Sequence, residues 1–427
     1  MKMKFGIRLL IVLLVAILIM NITFSTNVRA RDNYAYIVAS SYYFDSAADY
    51  VRSKLPFWYG RLKYNVGTDS DPTPTEFWES LYADVQYLYG HGDWDRFWTK
   101  NVGLIVGDGR KYDGRHHFGT NDVHWDTDTI LVVYAACKTA ENLEDGLAVE
   151  TCRSGADNVI GWRNPIWSDH AAYWGEYFAA SVATGLGVYD AAANANSKSY
   201  PGDDENDGHS IKNNVVVNRG DANMKLGCFR TNAKQTETNI IEDGRNILKN
   251  TKQSIEFKSI DELLDIIKAY DSTFNKENYT ITQSDGLQTI NIVTGEETKQ
   301  LVIDLNLKLD DFYTNAGYVI TISNGKVEAI YDNTLPLKNR KVGLSNSNFK
   351  VDSVIKNNGD IYLEKAKAEV IEKTINDGIL NYNIIEQKKT YYYDVETDKK
   401  YVRVRTIIEN EHENGNSRDY ITSLYEI

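Results

Sequence analysis

Short apolar runs bounded by turn residues punctuate the first half of the chain, and stretches with helical spacing lie between them. Residues 34–39 (YAYIVA), 85–89 (VQYLY), 102–106 (VGLIV), 129–135 (TILVVYA) and 158–161 (NVIG) are continuous and rich in β-branched and aromatic side chains. Such runs mark strands buried on both faces. Helical patterns are expected at 47–55, 75–82, 140–154, 169–184 and 188–197. Strands alternating with helices imply an α/β fold, a three-layer α/β/α sandwich around a mostly parallel sheet.

The pattern changes near Thr231. Residues 231–255 are largely polar and predict a linker between a domain at 31–230 and a C-terminal region at 256–427. That region is expected to be α+β. A helix at 260–270 precedes strands at 279–282, 288–293, 300–307 and 318–323. A helix at 368–375 then precedes strands at 380–385, 389–394, 401–408 and 420–425. Two helix-then-meander units of similar length suggest an internal duplication. In this arrangement they resemble the PepSY-type modules appended to exported bacterial proteins.

The first thirty residues read as an address. Lys2, Lys4 and Arg8 precede the apolar run 9–20, and Val28-Arg29-Ala30 sets small residues at the −3 and −1 positions of a cleavage site. This is the anatomy of a secretory signal peptide, and it predicts a secreted or cell-surface product. An uncleaved anchor is the alternative reading if the apolar run extends through Phe24, since a span needs about 20 such residues. The whole chain has 42% hydrophobic and 25% charged residues, as a globular protein does, and a net charge of −13. That balance excludes a nucleic-acid binder, which needs a concentrated basic face. Downstream of the leader stand three cysteines, Cys137, Cys152 and Cys228. In an exported chain an odd count suggests a free reactive thiol beside a Cys152–Cys228 pair; three reduced thiols are the competing state.

Two strand ends carry candidate chemistry. In YLYGHGDW, His91 and Gly92 follow an apolar strand; in ILVVYAACKTA, Cys137 follows another. The carboxyl ends of neighbouring parallel strands share one crevice, so both side chains are expected to project into it. A thiol attacks as thiolate, and a nearby imidazole can take its proton. Thr139 is the expected N-cap of the next helix, whose dipole would favour thiolate. Gly92, without a Cβ, could approach a substrate carbonyl and supply an N–H to an oxyanion.

A strand ending in His-Gly followed by one ending in Ala-Cys, with the segment GADNVIGWRNPIWSDHAAYWGEYFAA after it, resembles the caspase–hemoglobinase fold over residues 34–217. Caspases, gingipains, clostripain, legumains and bacterial CHAT proteins share that fold. The chain lacks the Gln that precedes Ala-Cys in caspases proper, so the resemblance is to the bacterial branch. It implies a cysteine peptidase acting on a peptide or protein, with His91 and Cys137 as dyad and Gly92 as oxyanion donor. It also implies that Gly161, Trp162 and Arg163 line the pocket for the residue before the scissile bond. Arg163 would suit an acidic side chain there, and Asp93, Asp122 or Asp169 a basic one.

Other constellations compete. His116, His117 and His124 with Asp126 would suit Zn²⁺ and a metal-dependent hydrolase, but the Gly-, Asn- and Asp-rich loop lacks H-E-x-x-H spacing and favours a substrate-side loop. Asp203, Glu205 and Asp207 partly mimic a structural Ca²⁺ loop, with Asn214 where a bidentate Glu belongs; an acidic surface loop is the plainer reading. A non-enzymatic alternative makes the N-terminal half an inactive scaffold and the C-terminal units binding modules. Those units could equally cover the cleft as an inhibitory segment.

Overall fold

The first half holds nine strands among the described residues, of which those at 61–66, 91–93, 96–99 and 214–218 are not among the expected apolar runs. In the computed structural model these are β1 (Tyr34–Ala39), β2 (Arg61–Val66), β3 (Val85–Tyr89), β4 (His91–Asp93), β5 (Arg96–Thr99), β6 (Val102–Ile105), β7 (Leu131–Ala135), β8 (Asn158–Trp162) and β9 (Asn214–Asn218). The structure describes residues 34–39, 48, 51, 61–66, 83–99, 102–105, 129–200, 210–226, 245–249, 255–339, 349–351, 353–357, 359–376, 381–412 and 415–427. The expectations for the leader 1–30, the 75–82 helix, Asp122, the His116/His117/His124/Asp126 loop, the Asp203/Glu205/Asp207 loop and Cys228 lie outside these residues.

β2, β1, β3, β7 and β8 pair in parallel in that order, and β9 closes against β8 antiparallel. Alternating side chains sort to two faces. Tyr87, Tyr89, Val133 and Ile160 meet Trp174 and Phe178 of helix α2 (Ser168–Ala183) and Ala191 and Ala195 of α3 (Val188–Asn196). Leu88, Val132, Tyr134 and Val159 meet Leu147, Ala148 and Cys152 of α1 (Leu147–Arg153). With each fully buried aliphatic or aromatic side chain contributing about 1.5–3 kcal/mol, these two apolar layers hold the sandwich together.

Three local departures from the sequence pattern have physical causes. Residues 102–105 join β4 and β5 in a separate three-stranded antiparallel sheet, whose Phe97 is buried with its ring centroid 5.9 Å from that of Tyr134. The helix expected from residue 140 begins only at Leu147, after Gly146 as N-cap. Asn142 Oδ1 accepts from the backbone N–H groups of Glu144 and Asp145 at 2.9 and 3.3 Å, a local turn that competes with helix. The third departure lies in the C-terminal region, where two expected strand pairs are each one long strand.

That region runs β10 (Ile255–Glu256), α4 (Ile260–Tyr270), β11 (Tyr279–Asn291), β12 (Glu297–Leu309), β13 (Phe312–Ser323) and β14 (Lys326–Asp332). It continues as α5 (Gly359–Asn376), β15 (Asn381–Asp394), β16 (Lys399–His412) and β17 (Gly415–Glu426). The expected breaks at 283–287 and 386–388 are bridged, and the ladders continue past them through register shifts at Asp285/Gln288 and Ile384/Glu386. Each helix lies on its own meander. Leu263, Leu264 and Ile267 pack on Ile303, Leu305 and Ile320; Ala366 packs on Val402 and Val404, and Val370 on Ile408 and Ile421.

β11 pairs with β9 in parallel, Gln288–Asn291 against Val215–Asn218, so a sheet of fourteen strands spans both regions. Residues 245–249 of the polar connection pack along β14, with Ile247 N–H donating to Ile330 O at 2.9 Å. Tyr34–Ile427 form one compact unit.

Candidate active site

β3 and β7 are adjacent and parallel, with Tyr89 in register with Ala135. His91 and Cys137 each stand two residues beyond that pair, so the chain delivers imidazole and thiol to the same sheet edge. Both line one cavity of about 20 Å³, together with Gly90, Ala135, Ile166, Ser168 and Ala171. Gly92 lies against the Cys137 backbone: a Cβ there would come 2.8 Å from Cys137 O and 2.9 Å from Ala136 Cβ, so only glycine fits. Immediately after the cysteine, Lys138 takes a left-handed φ of 58°, a conformation uncommon outside glycine, and turns the chain sharply.

Cys137 Sγ is held by one backbone unit. Ile166 N–H donates to the sulfur at 3.4 Å, and the thiol donates back to Ile166 O at 3.6 Å. Burial, the main cause, pushes the thiol up to about 12; the charges of Asp419 and Asp93 add to the rise, while the Ile166 bond and Lys138 oppose it. The expected helix-dipole assistance is absent, because Thr139 caps no helix. Its hydroxyl donates to Ala136 O at 3.3 Å and accepts from Trp162 N–H at 3.3 Å.

The other wall of the cavity comes from the far end of the chain. Asp419, Tyr420 and Ile421 of β17 line it, and Asp419 Oδ1 is 2.6 Å from His91 Nδ1. Asn410 donates to the second carboxylate oxygen of Asp419. Around the mouth, Thr422 N–H donates to Ser168 Oγ at 3.1 Å and Thr422 Oγ1 donates to Asp169 Oδ1 at 2.8 Å. The Tyr420 ring meets Trp167 edge-on at 5.3 Å, Arg405 stacks 4.5 Å over Trp167, and Arg405 Nη2 lies 3.0 Å from His170 Nε2. Burial works against the Asp169 carboxylate, but His170, Arg405 and Arg403 outweigh it and hold its pKa below the usual value.

His91, Gly92 and Cys137 thus come together, and Asp169 lies near them at the start of α2. Gly161, Trp162 and Arg163 do not line this cavity. Trp162 is buried, donates through Nε1 to Ile211 O at 2.7 Å and meets Trp174 edge-on. Gly161 packs against Thr139 and Ala140. Arg163 reaches β11, donating to Gly286 O at 3.0 Å and Gln288 Oε1 at 2.5 Å. Asp93 accepts from Trp94 N–H at 2.9 Å. Ile166, Ser168 and the β17 residues carry no sequence signal that would have found them.

Cys152 is a free thiol on the buried face of α1, pushed up to about 12 chiefly by burial. A larger polar cavity of about 380 Å³, lined by Tyr177, Lys198, Arg245 and Glu396 among others, shares no residue with the Cys137 site.

No family model matches the chain, and no curated protein is similar to it. Among solved structures it is similar to gingipain R (RgpB), described as an Arg-specific cysteine proteinase, with 11% identity, a TM-score of 0.33, and coverage of 72% of this chain and 63% of that one. It is also similar to the complex of Porphyromonas gingivalis RgpB pro- and mature domains, with 13% identity, a TM-score of 0.28, and coverage of 40% of this chain and 44% of that one. The chain therefore spans less than two thirds of either, and at these scores neither says what it does.

Proposed function

We propose that this protein is an exported thiol peptidase that uses a Cys137–His91 dyad. The reading rests on one observation: imidazole and thiol stand at equivalent positions beyond two paired parallel strands and line the same cavity. His91 takes the thiol proton and Sγ attacks the carbonyl carbon of a peptide bond. The tetrahedral oxyanion is held by the backbone N–H groups of Gly92 and Cys137. His91 then gives its proton to the departing amine, leaving a thioester that water hydrolyses, and the proton returns to Sγ. Gly92 suits this role because its lack of a side chain lets its backbone lie against that of Cys137.

Long incubations of the full chain at high concentration with peptides varied at the residue before the scissile bond test the proposal. Cleavage is expected in wild type and should fall by at least about 10³-fold in Cys137→Ala and in His91→Ala. Cleavage that persists in Cys137→Ala overturns it. The high thiol pKa favours a second reading, an inactive scaffold. In that case Cys137 should alkylate slowly and at the same rate with and without His91, because no base promotes the thiolate.

A further inference from the structure

We propose that β17 is a built-in cover for the Cys137 cleft, seated where substrate would bind and displaced before catalysis. This deepens the peptidase reading and rests on it. Volume is the first ground. About 20 Å³ admits one water and not a peptide group, and Asp419, Tyr420 and Ile421 are what closes the space. Cys137 is only 9% exposed in this arrangement.

The second ground is how the strand is held. β17 is the edge strand of the long sheet, and among the described residues its only ladder is with β16. Among the described residues its hold on the cleft includes no ladder: Asp419 lies on His91, Tyr420 on Trp167, Thr422 N–H donates to Ser168 Oγ and Thr422 Oγ1 to Asp169. Contacts of this kind open locally at a fraction of the cost of unfolding a sheet. The third ground is charge. Asp419 Oδ1 stands 2.6 Å from His91 Nδ1, and the charge of the same carboxylate disfavours thiolate at Cys137. Asp419 could instead orient His91 as a helper of catalysis, and the test separates the two.

Full-length Asp419→Asn, Tyr420→Ala and Thr422→Ala are compared with wild type for alkylation of Cys137 by a peptide-sized maleimide and for peptide cleavage. Cys137→Ala supplies the background from the other cysteines. Hydrogen exchange along 415–426 reports how far the strand has loosened. Labelling is expected to rise on the order of tenfold in Asp419→Asn, the loss of one charge-assisted contact, with smaller rises in the other two. Cleavage should rise in step. Labelling that rises without any cleavage upholds the cover and removes the peptidase reading. Labelling that stays at the wild-type rate while exchange along β17 accelerates overturns the cover. So does cleavage that falls in Asp419→Asn with labelling unmoved, since Asp419 would then serve as a positioning residue.

Discussion

Two of the places where the C-terminal region meets the N-terminal region are built differently. At the seam, β11 pairs with β9 through backbone hydrogen bonds, and Lys212 forms an ion pair with Asp304 at 0% and 3% exposure. Arg163, just after β8, reinforces it. At the cleft, β17 touches α2 and β4 outside any strand ladder, through side chains and the backbone N–H of Thr422, around a cavity the size of one water. A strand ladder with a buried charge pair cannot separate without leaving donors, acceptors and a lysine unpaired in the interior. Contacts that lie outside the ladders can separate while every ladder stays intact. The same region of the protein is thus fixed at one end and releasable at the other.

The largest break in this comparison comes at the seam. Asp304→Ala should lose about 3–5 kcal/mol of stability in urea unfolding, because it strands the Lys212 charge in the core, whereas Lys212→Met with Asp304→Leu should be near neutral. Burial raises the Asp304 pKa and Lys212 opposes that rise, which fits a pair kept only by mutual neutralisation. If Asp304→Ala unfolds like wild type, the seam is not the fixed joint.

Next in size is the pH dependence at the cleft. A solvated thiol reaches its full alkylation rate a little above its pKa of about 8.5. Cys137 labelling should instead keep climbing toward about 12 in wild type and plateau earlier once β17 is displaced. The linkage has a definite sign. The folded chain keeps a proton that the unfolded chain releases near about 8.5, so the neutral thiol's contribution is complete below that pH and is lost as pH rises toward the folded value. Alkaline unfolding should therefore begin at higher pH in Cys137→Ala than in wild type.

Arg163→Ala should cost about 1–2 kcal/mol, two hydrogen bonds to β11, and should leave discrimination among peptide substrates unchanged. A shift in substrate preference would return Arg163 to the binding pocket. Smallest of all, Tyr420→Ala should change global stability by less than about 0.5 kcal/mol while speeding hydrogen exchange within β17. A large global loss would mean that the cleft contact is as integral as the seam.

His91 and Cys137 were legible because each ends an apolar strand, and parallel strand ends converge whatever the intervening chain does. The bounds of β1, β3 and α4 were legible for the same reason: hydrophobic period and flanking turn residues are local properties. Arg163 was not, since a charged residue after a strand reads alike whether it faces a cleft or a neighbouring strand, and only the arrival of Gly286 and Gln288 decided it. Thr139 failed as a cap because Asn142 and Gly146, three and seven residues on, offered the backbone a competing turn. The long strands β11 and β15 were divided because a bulge and a turn share Gly, Asp and Gln, and what distinguishes them is a partner strand running past both sides. By itself the sequence determined which segments are strands and helices and which side chains can do chemistry, since those follow from periodicity and residue type. What covers the thiol, what sets its pKa, and which carboxylate sits on His91 were decided by tertiary structure. Desolvation and charge proximity depend on atoms brought from hundreds of residues away, and no local pattern encodes them.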